Sequence, residues 1–134
     1  MKTHLKNILG MAILGLTLVT TTVPTWAGSV SARGVSITNT PTQRSAIGSM
    51  AGARYSADFQ QTIACKSHTL SAYSWTTCYA TDSAGRSLLC GSGDGKFLEV
   101  VHAMTDSSLI SFEVDLNGTS CRSIVVYQGS DMLK

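Results

Sequence analysis

The sequence has no cluster of basic residues. It carries ten Lys and Arg residues among 134, and two of these, Lys2 and Lys6, lie in an N-terminal segment that we expect to be removed. The other eight are scattered singly and are balanced by eight Asp and Glu residues. Because binding to phosphates requires clustered cations, this distribution argues against nucleic-acid binding and against polybasic attachment to a membrane.

Long hydrophobic runs are also scarce. The first run, residues 8–19, would span only about 18 Å as a helix, against roughly 30 Å of hydrocarbon in a bilayer. It follows Lys2 and Lys6 and precedes Ala27, which is the order of regions in a secretory signal peptide. We therefore expect a signal peptide over residues 1–27, cleaved after Ala27 or alternatively after Ala32. The mature protein is then secreted or periplasmic, bacterial in character, and without stable membrane insertion.

Residues 28–53 have little charge and are nearly half Ser, Thr and Gly. Such a segment buries too little apolar surface to offset its ordering entropy, so it is predicted to be a flexible leader. Residues 34–38 within it are able to add an edge strand. A single folded domain is predicted over residues 54–134.

Alternation of apolar and polar residues predicts the strands of this domain. The first, residues 55–65, would direct five side chains inward: Tyr55, Ala57, Phe59, Ile63 and Cys65. Residues 66–71 are predicted to be a polar turn. Residues 72–81 and 87–90 are predicted to form a hairpin around the turn at residues 82–85. A later strand, residues 109–115, would direct Ile110, Phe112 and Val114 inward.

One helix is predicted between these strands, over residues 95–104 with Asp94 as its N-cap. Its apolar stripe consists of Phe97, Val100, Val101 and Met104. Asn117-Gly118 predicts a tight hairpin turn, which would place Val114 opposite Cys121, Phe112 opposite Ser123, Ile110 opposite Val125, and Glu113 beside Arg122. The predicted fold is therefore α+β, a small and mainly antiparallel sheet with one helix packed on a face.

The four cysteines, Cys65, Cys78, Cys90 and Cys121, all follow the predicted signal peptide. An exported domain of this size commonly uses disulfides to supplement a small core, so two bridges are expected. Four cysteines allow three pairings, and the sequence does not choose among them. Two predicted pairings are equally plausible: Cys78 with Cys90 and Cys65 with Cys121, or Cys65 with Cys78 and Cys90 with Cys121. The spacings are too long for a typical zinc site, so no metal or other cofactor is predicted.

Tyr73, Trp75 and Tyr79 form the densest aromatic group. Their spacing places them on one side of a strand. We interpret this side as the core face, with Tyr73 the most exposed. The alternative is an exposed row that binds a sugar or a protein partner.

No catalytic motif is present. His68 and His102 are the only histidines after the signal peptide; His68 is expected in an exposed loop and His102 beside the apolar stripe of the helix. The Ser in residues 48–52 (Gly-Ser-Met-Ala-Gly) is misplaced for a nucleophile elbow. Residues 91–96 are interpreted as a turn and helix start, although such glycines can also bind phosphate. Asn117-Gly118-Thr119 matches a glycosylation sequon and is equally explained as a turn.

The motif Cys-x-Ala-x-Asp-x-x-Gly at residues 78–85 lies between Cys65 and Cys90, and the last hairpin leads to Cys121. This order resembles a group of small exported bacterial proteins of unassigned function with a four-cysteine hairpin-helix-hairpin pattern. The resemblance covers residues 55–127. It implies a common fold and export but no activity.

These observations predict a small exported protein that is not an enzyme and binds an extracytoplasmic ligand or protein partner. One alternative is a secreted inhibitor or toxin. The other is a small hydrolase that uses His68 or His102 with a Ser or Asp brought close by folding.

Overall fold

Two antiparallel sheets enclose the core in the computed structural model, which describes residues 32–129. In chain order the elements are β1 Ser36–Asn39, β2 Gln43–Ser49, α1 Met50–Arg54, β3 Thr62–Thr69, β4 Ser74–Thr81, β5 Ser87–Ser92, α2 Gly95–His102, β6 Leu109–Asp115 and β7 Cys121–Tyr127. One sheet has the order β1-β2-β6-β7 and the other β3-β4-β5. The predicted signal peptide and Ala27 lie outside the described residues.

The segment predicted to be a flexible leader instead carries β1, β2 and most of α1, so this prediction was wrong and the folded domain begins before residue 54. Val35, Ile37 and Ala46 are buried in the core. The strand β2 pairs with β6 along its whole length, from Gln43 opposite Asp115 to Ser49 opposite Leu109. Local composition did not predict this order, because β2 is ordered by β6, a strand about 60 residues further along the chain. The predicted edge strand is confirmed as β1.

The strand predicted for residues 55–65 begins only at Thr62. Tyr55 and Phe59, predicted to point inward, are 66% and 94% exposed. The Asp58 carboxylate organises a turn here by accepting hydrogen bonds from the backbone N–H groups of Gln60 and Gln61. These local bonds compete with strand formation. Ile63 is buried in the core as predicted.

The central strand β6 is confirmed, with Ile110, Phe112 and Val114 fully buried. The hairpin register is correct at the turn, where Val114 lies opposite Cys121. A β-bulge then shifts the pairing by one residue, so Phe112 lies opposite Ile124 and Ile110 opposite Val126.

The bulge also changes the charge pairing in this hairpin. Arg122 was predicted to lie beside Glu113 but instead forms an exposed ion pair with Asp115, at 3.3 Å. The turn itself is confirmed, with the Gly118 N–H donating to the Asp115 carbonyl at 3.1 Å.

The helix α2 begins where it was predicted to begin. Asp94 is its N-cap, and its carboxylate accepts from the Lys96 N–H at 3.0 Å. Val101 belongs to the core, and Phe97, Val100 and Met104 pack against it. The helix ends at His102, two residues before the predicted end.

Both disulfides are formed, with the second of the two predicted pairings. Cys65–Cys78 joins the neighbouring strands β3 and β4, and Cys90–Cys121 joins β5 to β7 and so connects the two sheets. The fold is therefore α+β, mainly antiparallel and disulfide-stabilised, but with two sheets and two short helices where one of each was expected. Between residues 32 and 129, no helix has the length and apolar character required to cross a membrane.

Candidate functional site

The aromatic residues of β4 lie on its outer side. Thr76, Cys78 and Ala80 are buried, so the alternating residues Trp75, Thr77 and Tyr79 point away from the core. The interpretation of Tyr73, Trp75 and Tyr79 as a core face was therefore wrong. Small side chains suffice on the inner side of β4, because larger residues of α2 and of the other sheet, among them Val101 and Phe112, fill the core.

Three rings stack at one end of this outer face. Trp75 stacks on His68 with centroids 4.6 Å apart and planes inclined by 11°, and on Tyr73 at 5.4 Å and 23°. His68 does not lie in a loop as expected. The strand β3 extends to Thr69, so that His68 lies directly opposite Trp75.

The strand register defines the rest of the outer face. Ala64, Tyr79 and Leu89 form one row across the three strands; Lys66, Thr77 and Gly91 form the next, followed by His68 and Trp75. We call these eight residues together with Tyr73 the aromatic face. Its most exposed apolar members are Tyr73 (59%), Leu89 (55%) and Tyr79 (39%). None of its members is acidic, and Lys66 has no ion pair within residues 32–129.

His102 lies in a groove at the edge of β3, which Lys66 of the aromatic face also lines. The Nε2 atom of His102 and the Ser67 hydroxyl oxygen are 3.0 Å apart. The groove has a volume of about 330 Å³, and its lining includes Met50, Met104 and Asp106. Folding thus brings a Ser to one of the two candidate histidines, a pairing that the sequence did not identify. No ion pair joins His102 to Asp106 in the described part of the chain.

Ser49, in the Gly-Ser-Met-Ala-Gly segment, has a structural role. It is 1% exposed and is the N-cap of α1, where its Oγ accepts from the Gly52 N–H at 2.9 Å. The same oxygen accepts from the Arg33 N–H and donates to the Arg33 carbonyl, both at 3.1 Å. Because the hydroxyl is buried and its bonds are made within the chain, Ser49 is unsuited to act as a nucleophile.

The glycine-rich segment before α2 is also a structural connection. The Gly91 N–H donates to the Thr119 carbonyl at 2.8 Å, and Gly91 forms a bridge with Ser120. This contact lies beside the Cys90–Cys121 disulfide. The interpretation of residues 91–96 as a turn and helix start is correct for the start of α2 but wrong for Gly91 and Ser92, which extend β5 beyond its predicted end at Cys90 and pair with β4.

Asp82 is a buried carboxylate whose role the sequence did not reveal. It accepts from the Ala84 and Arg86 N–H groups, both at 3.0 Å, and pairs with the Arg86 guanidinium at 2.6 Å. Burial alone would raise the pKa of Asp82, but these hydrogen bonds and the Arg86 charge outweigh it and lower the pKa below the usual 3.8. The carboxylate holds the turn at residues 82–85, in which Gly85 has a φ of +75°.

Asp58 holds the other turn in the same way. Its pKa is lowered chiefly by the hydrogen bond from the Gln60 N–H, followed by that from the Gln61 side chain. The two acids with perturbed pKa values are thus both explained by turn geometry. No group of His, Cys, Asp and Glu suited to a metal ion occurs within the described range.

The fold and the two disulfides define the class: a small disulfide-stabilised α+β protein suited to an oxidising, extracytoplasmic environment. No family model matches the chain, and neither a curated protein nor a solved structure matches it.

Proposed function

We propose that this exported protein acts by binding an extracytoplasmic ligand or protein partner through the aromatic face. The observation that carries the proposal is the exposure of Tyr73, Leu89 and Tyr79 together on one side of a three-stranded sheet. Aromatic side chains supply a large contact area at a low cost in conformational entropy, and they are enriched among residues that dominate binding energy. An inhibitor or toxin would use the same face against a protein target.

Rigidity of the aromatic face also supports binding. The strand β4 is hydrogen-bonded on both sides, to β3 and to β5. Behind the face, the Cys65–Cys78 disulfide links β3 to β4. A surface held in place before the partner arrives loses less entropy on binding.

Site-specific photo-crosslinking in the native cell envelope would test the proposal. A benzophenone amino acid at Leu89 has a matched control at Val125, since both residues are 55% exposed and Val125 lies on the outer face of the other sheet. We expect a discrete adduct, detected by intact mass, from position 89 and none from position 125. The adduct should disappear in the Trp75→Ala background. Equal yields from both positions, or no adduct from position 89, would contradict the proposal.

A second candidate function, hydrolysis, is favoured by the 3.0 Å contact between Ser67 and His102. The Ser67 oxygen would attack an ester carbonyl while His102 accepts the hydroxyl proton and passes it to the departing alcohol; water would then release the acyl group. Purified protein should hydrolyse p-nitrophenyl acetate faster than buffer. Ser67→Ala and His102→Ala should abolish the excess rate, and His68→Ala should retain it. A wild-type rate equal to that of buffer rejects this function.

A further inference from the structure

We propose that the ligand of the aromatic face is an anionic saccharide that carries carboxylate groups. The inference rests on the proposed function and adds the chemistry of the ligand. Its basis is the position of Lys66, which lies opposite Thr77 in the middle row, between the row of Tyr79 and the row of Trp75.

Charge complementarity favours an anionic ligand. Lys66 is exposed and has no ion pair within residues 32–129. The outward positions of β3, β4 and β5 hold no Asp or Glu. Lys66 also lines the groove that contains Asp106, but no ion pair joins the two within residues 32–129, so the ammonium group is available to a carboxylate of the ligand.

The shape of the aromatic face favours a saccharide. The middle row contains Thr77 and Gly91, which have little or no bulk, whereas the rows on either side carry rings or Leu89. On β4 the small Thr77 thus lies between two rings, Trp75 and Tyr79, which we call the two walls. A pyranose ring offers flat C–H surfaces to such walls and hydroxyl groups to Thr77 and Lys66. Protein partners instead commonly insert an anchoring side chain into a deep pocket.

The spacing of the two walls sets the length of the ligand. Tyr79 and Trp75 are four residues apart on one strand, which corresponds to about 13 Å at the usual strand rise. A ligand that touches both walls is longer than one pyranose ring. The inferred ligand is thus an oligosaccharide or a polymer segment with Lys66 near its middle.

The protein contains its own reporter for this binding. Trp75 is the only Trp after residue 27, and it belongs to the aromatic face. Titration of the mature protein with oligogalacturonate should change its fluorescence saturably. The methyl ester of the same oligosaccharide, a matched neutral probe, should bind up to about fivefold more weakly, the range expected for loss of one exposed ion pair.

Variants identify the contacts. Lys66→Gln should weaken oligogalacturonate binding by the same factor as esterification of the ligand. The variant protein should bind oligogalacturonate and its methyl ester equally. Lys96→Gln, at the exposed start of α2, is the matched control and should bind as the wild type. Tyr79→Ala should lower affinity for both probes by roughly three- to tenfold, through loss of stacking.

Three results would overturn the inference. The first is the absence of a saturable fluorescence change with oligogalacturonate. The second is that wild type and Lys66→Gln discriminate equally between acid and ester. The third is tighter binding of polyglutamate than of oligogalacturonate, which would indicate an acidic protein partner. Crosslinking from position 89 without saccharide binding would leave the proposed function intact and reject only the saccharide. Failure of both experiments would reject both.

Discussion

The Cys90–Cys121 disulfide should stabilise this protein more than the Cys65–Cys78 disulfide. The two bridges close loops with sequence separations of 31 and 13 residues. Loop-closure entropy then gives about 3.7 kcal/mol for Cys90–Cys121 and about 2.9 kcal/mol for Cys65–Cys78. Chain entropy alone therefore predicts a difference of about 0.8 kcal/mol.

The positions of the two bridges increase this difference. Cys65–Cys78 joins strands that are already paired over eight residues, from Thr62 opposite Thr81 to Thr69 opposite Ser74. Cys90–Cys121 joins the two sheets beside the short bridge between Gly91 and Ser120. Its removal also weakens the junction that encloses the core. We therefore expect a difference greater than the entropic value.

Urea unfolding of the oxidised mature protein, followed by far-ultraviolet circular dichroism, would measure both contributions. The double variants Cys90→Ala/Cys121→Ala and Cys65→Ala/Cys78→Ala are well matched, because all four side chains are at most 8% exposed. The former should lose more free energy of unfolding. Equal losses, or a greater loss on removal of Cys65–Cys78, would refute the reasoning. A Cys90→Ala/Cys121→Ala protein that is unfolded without urea agrees with the ranking only if the other variant folds.

Three further predictions concern turns and caps. Asp82→Asn should lower the melting temperature at pH 7. Because the pKa of Asp82 in the folded protein lies below 3.8, its carboxylate stabilises the fold above that pH and loses this effect at lower pH. The difference in melting temperature from the wild type should therefore be much smaller at pH 2. Gly52→Ala should cost about 1–3 kcal/mol in urea unfolding, because the new Cβ would clash with the Arg33 carbonyl oxygen. Gly95→Ala, with open space around it, should cost nothing. Asp94→Ala should cost about 1 kcal/mol through loss of the α2 cap, and Asp94→Asn much less, measured in the same way; equal losses would contradict the capping role.

Much of the fold could be predicted where local signals agree. The alternation of residues 109–115 and the capped apolar stripe after Asp94 identified β6 and α2. The dipeptide Asn117-Gly118 located the last turn. Each of these signals depends on residues within a few positions of one another, so they can be identified without knowledge of any distant segment.

The errors arose where a distant segment decides the structure. The strand β2 lies in a segment rich in Ser, Thr and Gly and is ordered by β6. The alternation from Tyr55 was interrupted by the hydrogen bonds of Asp58, which local periodicity does not detect. The contact of Ser67 with His102 joins residues 35 positions apart and has no local signal.

The candidate site shows the division between sequence and tertiary structure most clearly. The sequence by itself determined that Trp75 and Tyr79 share one side of a strand, because strand side chains alternate with a period of two. It also indicated that the four cysteines would form two bridges. Only the tertiary structure decided which side of β4 is buried and which cysteines pair. The reason is that burial depends on what covers each side. The helix α2 and the other sheet cover the side of Cys78, and the rings on the opposite side are left exposed.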